Sequence, residues 1–257
     1  MFRSRIRTTG VLATGALLLA LGACAEEESP PADPGTETET GDETDDPDDT
    51  DDGDTDAGDT DNGTDPADLP GEAVEMFPFE GDSVDVVGVT VDDVLYVRSA
   101  PDPEAETVAE LDPVAEGVIA TGHNRSLDDG GIWAEVEVDG LTGWANTSYL
   151  AYLGETTDAG ADFSDLEPAD DPEALAQEVG EHAVQLSGAE GYVIAAGSDQ
   201  GGTPEYVIDL LGLPDDSVGG ERLTLLTGTE PSGDYAVESV QRTVICDRGV
   251  DEEGLCL

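Results

Sequence analysis

Between residues 25 and 70 the chain is dominated by Asp, Glu, Thr, Gly and Pro and carries almost no aliphatic or aromatic side chain. Such a stretch cannot bury enough apolar surface to offset the entropy of ordering, so disorder is expected. Like charges closer than a Debye length of roughly 8 Å stiffen and extend it. Fully stretched it would reach on the order of 150 Å at ~3.3 Å per residue. Its expected role is spacing. Any core must come from the about 185 residues that start at Gly71, enough for two small domains with modest cores.

The tract also invites a test for calcium. An EF-hand loop needs D-x-[DN]-x-[DN]-G. Taking Gly53, Gly58 or Gly63 as the turn glycine puts Thr50, Gly53 or Gly58 where a carboxylate belongs. Diffuse cation condensation is expected, not a specific metal site.

Acidity runs through the whole chain, with 62 acidic side chains against 8 arginines, no lysine, and a formal net charge of -54. Outside the first 24 residues the cations are Arg98, Arg125, Arg222, Arg242 and Arg248. This charge repels nucleic-acid phosphates and anionic membrane surfaces, so no nucleic-acid partner is expected. Two sources of the acidity stay open: adaptation to strong salt screening, or a base composition that favours Asp, Ala, Gly and Arg over Lys.

The N-terminus reads as an export signal. Arg3, Arg5 and Arg7 form a positive n-region, and Val11 to Leu21 a short apolar run. That run falls short of the roughly 20 apolar residues of a transmembrane helix. Leu21-Gly22-Ala23-Cys24 resembles the bacterial lipobox, an aliphatic residue, two small residues and Cys. The resemblance implies cleavage before Cys24, a diacylglycerol group on its thiol, and a protein anchored to the outer face of the cell membrane. An ordinary signal peptide with a chance Cys is the alternative. Each buried methylene contributes about 0.8 kcal/mol, and two acyl chains anchor stably where one is marginal. The lipid bilayer is thus one expected partner.

From Gly71 to Gly154 short β-branched runs recur with turn signals between them. A lead-in arm with Met76, Phe77, Pro78 and Phe79 precedes Val84–Val91, Val94–Val97, Val108–Leu111, Val118–Thr121, Ile132–Val138 and Leu141–Ala145. Asp139-Gly140 is a two-residue hairpin signal. Three separated motifs carry a resemblance here. Leu95-Tyr96-Val97-Arg98-Ser99-Ala100-Pro101 is similar to the opening of bacterial SH3 (SH3b) domains. Ile132-Trp133-Ala134-Glu135-Val136 is similar to their tryptophan strand. Gly140-Leu141-Thr142-Gly143-Trp144-Ala145 with Ser148-Tyr149-Leu150 is similar to their ending. Tyr96 departs from the usual Asn, and Gly122–Gly131 is longer and more polar than usual. The resemblance implies a small SH3-like barrel that acts as a binding module for cell-wall peptidoglycan or an envelope protein. The candidate ligand contacts are Tyr96, Arg98, Trp144, Tyr149 and Tyr152. Trp133 and Trp144 also read as core residues, and Arg98 as the partner of a nearby carboxylate.

Residues 155–170 read as an acidic connector, and 171–257 as an α+β domain, one helix packed on an antiparallel sheet. Asp171-Pro172 is an N-cap followed by Pro at the first helical position. Leu175, Val179, His182 or Ala183, and Leu186 make an apolar stripe, and Gly188 is a suitable stop. Gly180 weakens the helix interior by roughly 1 kcal/mol relative to Ala. Tyr192–Ala196, Glu205–Leu211, Arg222–Thr227 and Tyr235–Cys246 are the strand candidates, with turns at Pro214–Ser217 and Pro231–Asp234.

With Cys24 lipidated, Cys246 and Cys256 remain as an even pair, and a disulfide is the default in an exported chain. No C-x-x-C or H-E-x-x-H spacing, G-x-S-x-G or Walker loop is present. His123 and His182 are isolated in different regions, a poor basis for a metal site or a general base. No catalytic residue and no cofactor is assigned. The function expected is a membrane-anchored extracytoplasmic lipoprotein that binds through its SH3b-like part. The alternatives are a wall-active enzyme with catalysis in 171–257 and a purely structural envelope protein.

Overall fold

The computed structural model describes residues 68–197 and 204–257. The export signal, Cys24 and the acidic tract up to residue 67 lie outside the described residues. All described residues belong to one compact unit, Thr60–Leu257.

Among the described residues, twelve strands form a mostly β, wholly antiparallel fold with one α-helix. The strands are β1 (Glu72–Val74), β2 (Ser83–Val86), β3 (Leu95–Arg98), β4 (Thr107–Leu111), β5 (Val118–Ser126), β6 (Ile132–Val138), β7 (Leu141–Asn146), β8 (Leu150–Asp158), β9 (Gly191–Gly197), β10 (Glu205–Leu211), β11 (Val218–Thr229) and β12 (Tyr235–Cys246). The helix α1 spans Pro172–Ser187 between β8 and β9. Hydrogen-bonded order runs β4-β3-β7-β6-β5-β2-β8-β12-β11-β10-β9, with β1 beside β5. The sheet is open, and β4 and β9 are its edges. Among the described residues no helix is long and apolar enough to cross a membrane.

In the first half, the run Val84–Val91 is strand only to Val86. From Val86 onward the backbone amides find partners outside the β2 ladders. Val86 N–H donates to Ala115 O (2.8 Å), Val87 N–H to Tyr149 O (3.0 Å) and Val91 N–H to Ile194 O (2.9 Å). Gly88, at φ 69°, makes the turn and donates to the Asp209 carboxylate (2.9 Å). The polar stretch that opens at Gly122 continues as strand to Ser126, after a register shift between Ala120 and Asn124. Gly122 is needed there, since a Cβ would lie 2.7 Å from the Glu80 nitrogen. The lead-in arm pairs with β5 through Glu72–Val74. Asn124, buried, donates from Nδ2 to Met76 O and Pro78 O at 2.9 and 3.0 Å. The Asp139-Gly140 turn has positive φ at both positions, 52° and 78°, as a type I′ hairpin requires.

The stretch expected as a connector, 155–170, instead supplies the second half of β8 and a 3-10 turn, Gly160–Phe163. Thr156 and Thr157, β-branched, pair opposite Thr243 and Arg242 of β12. Phe163 is buried among α1 and β10–β12 side chains. β8 thus pairs with β2 on one side and β12 on the other.

The C-terminal half is organised as its sequence signals suggest. Asp171 Oδ1 accepts from the amides of Glu173 and Ala174 (2.9 and 3.1 Å), and Gly188 ends α1 in the left-handed region. The buried stripe is Leu175, Ala176, Val179, Gly180 and Ala183. Leu186, in the last turn of α1, lies outside it, 55% exposed. Gly180 has a packing reason: a Cβ there would lie 2.5 Å from the Tyr192 ring. Ile208, Leu210, Leu223, Leu225 and Val240 complete that core. A separate core in the first half gathers Val84, Val86, Leu95, Val97, Val118 and Val136.

Candidate functional site

A cleft of about 390 Å³ opens on the first half of the sheet. One wall is the segment Gly88, Val89 and Thr90 with Asp93 and Val94; the others are Tyr96, Arg98, Pro103, Trp133, Asn146 and Tyr149. Tyr96 and Tyr149 are 39% and 41% exposed. Tyr149 is set beside the Gly88 wall by its carbonyl, which accepts the Val87 amide. Asn146 caps a 3-10 turn (Thr147–Tyr149), accepting from Ser148 N–H at 2.9 Å. It also pairs with Trp133 across the β6–β7 ladder.

Arg98 is the cation of this cleft. Its guanidinium carbon stands 4.6 Å from the centre of the Tyr96 ring. Nη1 donates to Thr107 Oγ1 (2.7 Å) and Ala105 O (3.2 Å). No carboxylate among the described residues lies within 4.0 Å of it. The ion-pair expectation for Arg98 is therefore corrected: neutral oxygens and an aromatic face hold it.

Of the five expected ligand contacts, Tyr96, Arg98 and Tyr149 meet in the cleft, whereas Trp144 and Tyr152 do not line it. Trp144 is 4% exposed. It sits opposite both Arg98 and Glu135 in the ladders, on β7 between β3 and β6. Tyr152 belongs to the first-half core, and its hydroxyl donates to Asp82 Oδ2 at 2.5 Å. Burial, then the Asp82 carboxylate, pushes its pKa well up. It borders a smaller cavity of about 190 Å³ beside Met76, Phe77 and Asp247. Burial also raises the Asp247 carboxyl, partly offset by Arg248. Sequence reading missed the Gly88–Thr90 wall, because those residues read as strand. A glycine at position 88, inside a β-branched run, was the available signal.

Cys246 and Cys256 form a disulfide with Cα atoms 5.2 Å apart. Cys24 lies outside the described residues. His123 Nδ1 stands 2.7 Å from Glu135 Oε2, which also accepts from Thr121 Oγ1 at 2.7 Å. His182 Nε2 lies 3.1 Å from Asp162 O in the other half. Among the described residues no three His, Cys, Asp or Glu side chains converge as a metal site.

A second polar feature lies at the seam between the halves. Asp209, fully buried, takes a bidentate pair from Arg222, Nε to Oδ1 at 2.7 Å and Nη2 to Oδ2 at 2.8 Å. Arg222 Nη2 also donates to Val86 O (2.7 Å), and Asp209 Oδ2 accepts the Gly88 amide. The pair therefore holds Val86 and Gly88, the turn at which that cleft wall begins. No protein-family model, curated protein or solved structure matches this chain.

Proposed function

We propose that this chain is a lipid-anchored extracytoplasmic protein whose SH3b-like first half binds cell-wall peptidoglycan. The observation that carries the proposal is the cleft of about 390 Å³, in which Tyr96, Arg98 and Tyr149 from two of the SH3b-like motifs meet. A concave site with aromatic walls and few placed polar groups is the usual form of a ligand pocket.

The barrel expectation has its own support. The six strands β2 to β7 all contribute to one buried cluster. The segment after β4 returns to β2 through the Val86–Ala115 hydrogen bond, as a curled sheet requires. Anchorage rests on Leu21-Gly22-Ala23-Cys24, since so acidic a chain has no basic patch to hold it at a membrane.

The test of binding is co-sedimentation of Thr60–Leu257 with purified peptidoglycan. Retention that falls about tenfold in a Tyr96→Ala, Tyr149→Ala variant is expected. Equal retention of that variant, or none of the wild type, overturns the proposal. For the anchor, Cys24→Ser should move the protein from the membrane fraction to the soluble one. A variant that stays with the membrane removes the lipid reading.

A further inference from the structure

Arg98 stands apart from the other cations. Arg222, Arg242 and Arg248 each pair with a carboxylate, and Arg125 donates to the carbonyls of Leu69 and Gly71. Arg98 lines the cleft with no carboxylate within 4.0 Å among the described residues. In a chain of 62 acidic side chains, that vacancy is informative. Only Nη1 is engaged, by Thr107 and Ala105. Nε and Nη2, one edge of the planar fork, have no protein partner among the described residues. That edge matches a carboxylate in bidentate geometry. Stacking on Tyr96 and the Nη1 bonds fix its orientation in advance, so little entropy is lost when a carboxylate docks.

We infer that the cleft recognises a carboxylate group, the C-terminal carboxylate of a short peptide, with Arg98 as the residue that receives it. The peptide's small side chains would lie against Tyr96, Tyr149 and Pro103. Asn146, whose Oδ1 is already occupied by Ser148 N–H, offers its Nδ2 to a peptide carbonyl. The inference deepens the proposed wall-binding function and rests on the same cleft.

The experiment uses the full chain in mild detergent, with Trp133 at the cleft wall as fluorescent reporter. The probes are N-acetyl-alanyl-alanine as the free acid and as its C-terminal amide. The expected result is a saturable change with the acid and binding about tenfold weaker with the amide, as loss of one charge-assisted pair predicts. Arg98→Gln should weaken the acid about tenfold and so remove the acid–amide difference; Arg98→Lys should lose less. Equal binding of acid and amide overturns the inference, as does an acid that produces no saturable change. The acid–amide comparison needs no variant, so a misfolded Arg98→Gln does not blunt it. Peptidoglycan retention measured alongside separates the two claims. Retention with no acid preference sinks only the carboxylate inference, and acid preference without retention sinks only the wall partner.

Discussion

In the first half of the sheet the strands run from three to nine residues, whereas β11 and β12 run twelve each against one another. A long ladder satisfies its own amides and carbonyls, and α1 covers the core of that half. Short ladders leave backbone between them that must find partners elsewhere. Residues 86–91 are such a segment, and three of them, Gly88, Val89 and Thr90, line the cleft. Two of their partners, Asp209 and Ile194, and the guanidinium of Arg222 come from the C-terminal half. The half without the cleft thus supplies part of the scaffold that shapes it. A rigid ladder carrying a buried ion pair serves this better than a second loop would, because its donors and acceptors are fixed beforehand.

The largest expected effect tests that division. Asp209→Ala leaves Arg222 buried without its carboxylate and should cost about 3–5 kcal/mol, read from the denaturant midpoint. Replacing both residues, as Asp209→Leu with Arg222→Met, should cost much less globally. It should still speed hydrogen exchange of amides 86–91 while the β11–β12 ladder stays protected. Exchange that rises evenly across the sheet would show that the pair stabilises the whole unit and not the cleft wall.

The disulfide comes next. Cys246 ends β12, and Cys256 lies ten residues on. The loop between them packs on β8, where Glu155 N–H donates to Gly254 O at 2.8 Å. Closing a loop of this size contributes about 2.5–3 kcal/mol by chain-entropy reasoning. Cys256→Ser should lower the thermal midpoint, and a reductant should lower the wild type but not the variant. A wild-type midpoint indifferent to reductant would show the tail held by packing alone.

Much of the C-terminal half was legible because its signals are local. Asp171, Pro172 and Gly188 mark the helix ends within a few residues of the groups they satisfy. Glu205–Leu211 and Tyr235–Cys246 carry their own β-propensity. The seam was not legible: Asp209 binds Arg222 at a separation of 13 residues and Gly88 at 121, and an Asp within Val207–Leu211 carries no mark of its partner. Five residues stood as candidate ligand contacts, and only the packing distinguishes Tyr96, Arg98 and Tyr149, which line the cleft, from Trp144 and Tyr152, which are buried elsewhere. Gly180 shows the same limit. Propensity alone says Gly180→Ala gains about 1 kcal/mol. The Tyr192 ring, 2.5 Å from the new Cβ, turns that into a loss of about 1–3 kcal/mol by overpacking. A stabilised Gly180→Ala protein would mean that Tyr192 can yield and that the helix seat is loose.

Tyr152 gives the smallest effect and the finest test, because it lies on the strand the two halves share. Its ring packs in the first-half core while its backbone pairs with Cys246 of β12. The hydroxyl donates to Asp82, and burial followed by that carboxylate raises its pKa above the ordinary value of 10.0. The folded state therefore holds this proton more tightly than the unfolded one. The stabilisation is complete below about pH 10 and is lost as pH rises beyond it. Tyr152→Phe removes the hydrogen bond and should cost about 1 kcal/mol at neutral pH. It should also flatten the alkaline decline of the unfolding midpoint, because the titrating group is gone. If the variant declines as steeply as the wild type, the alkaline sensitivity belongs to other groups. An amide-exchange change confined to β2 and the arm would place the Tyr152–Asp82 contact in the first half alone; one reaching β12 would show that β8 transmits it across the seam.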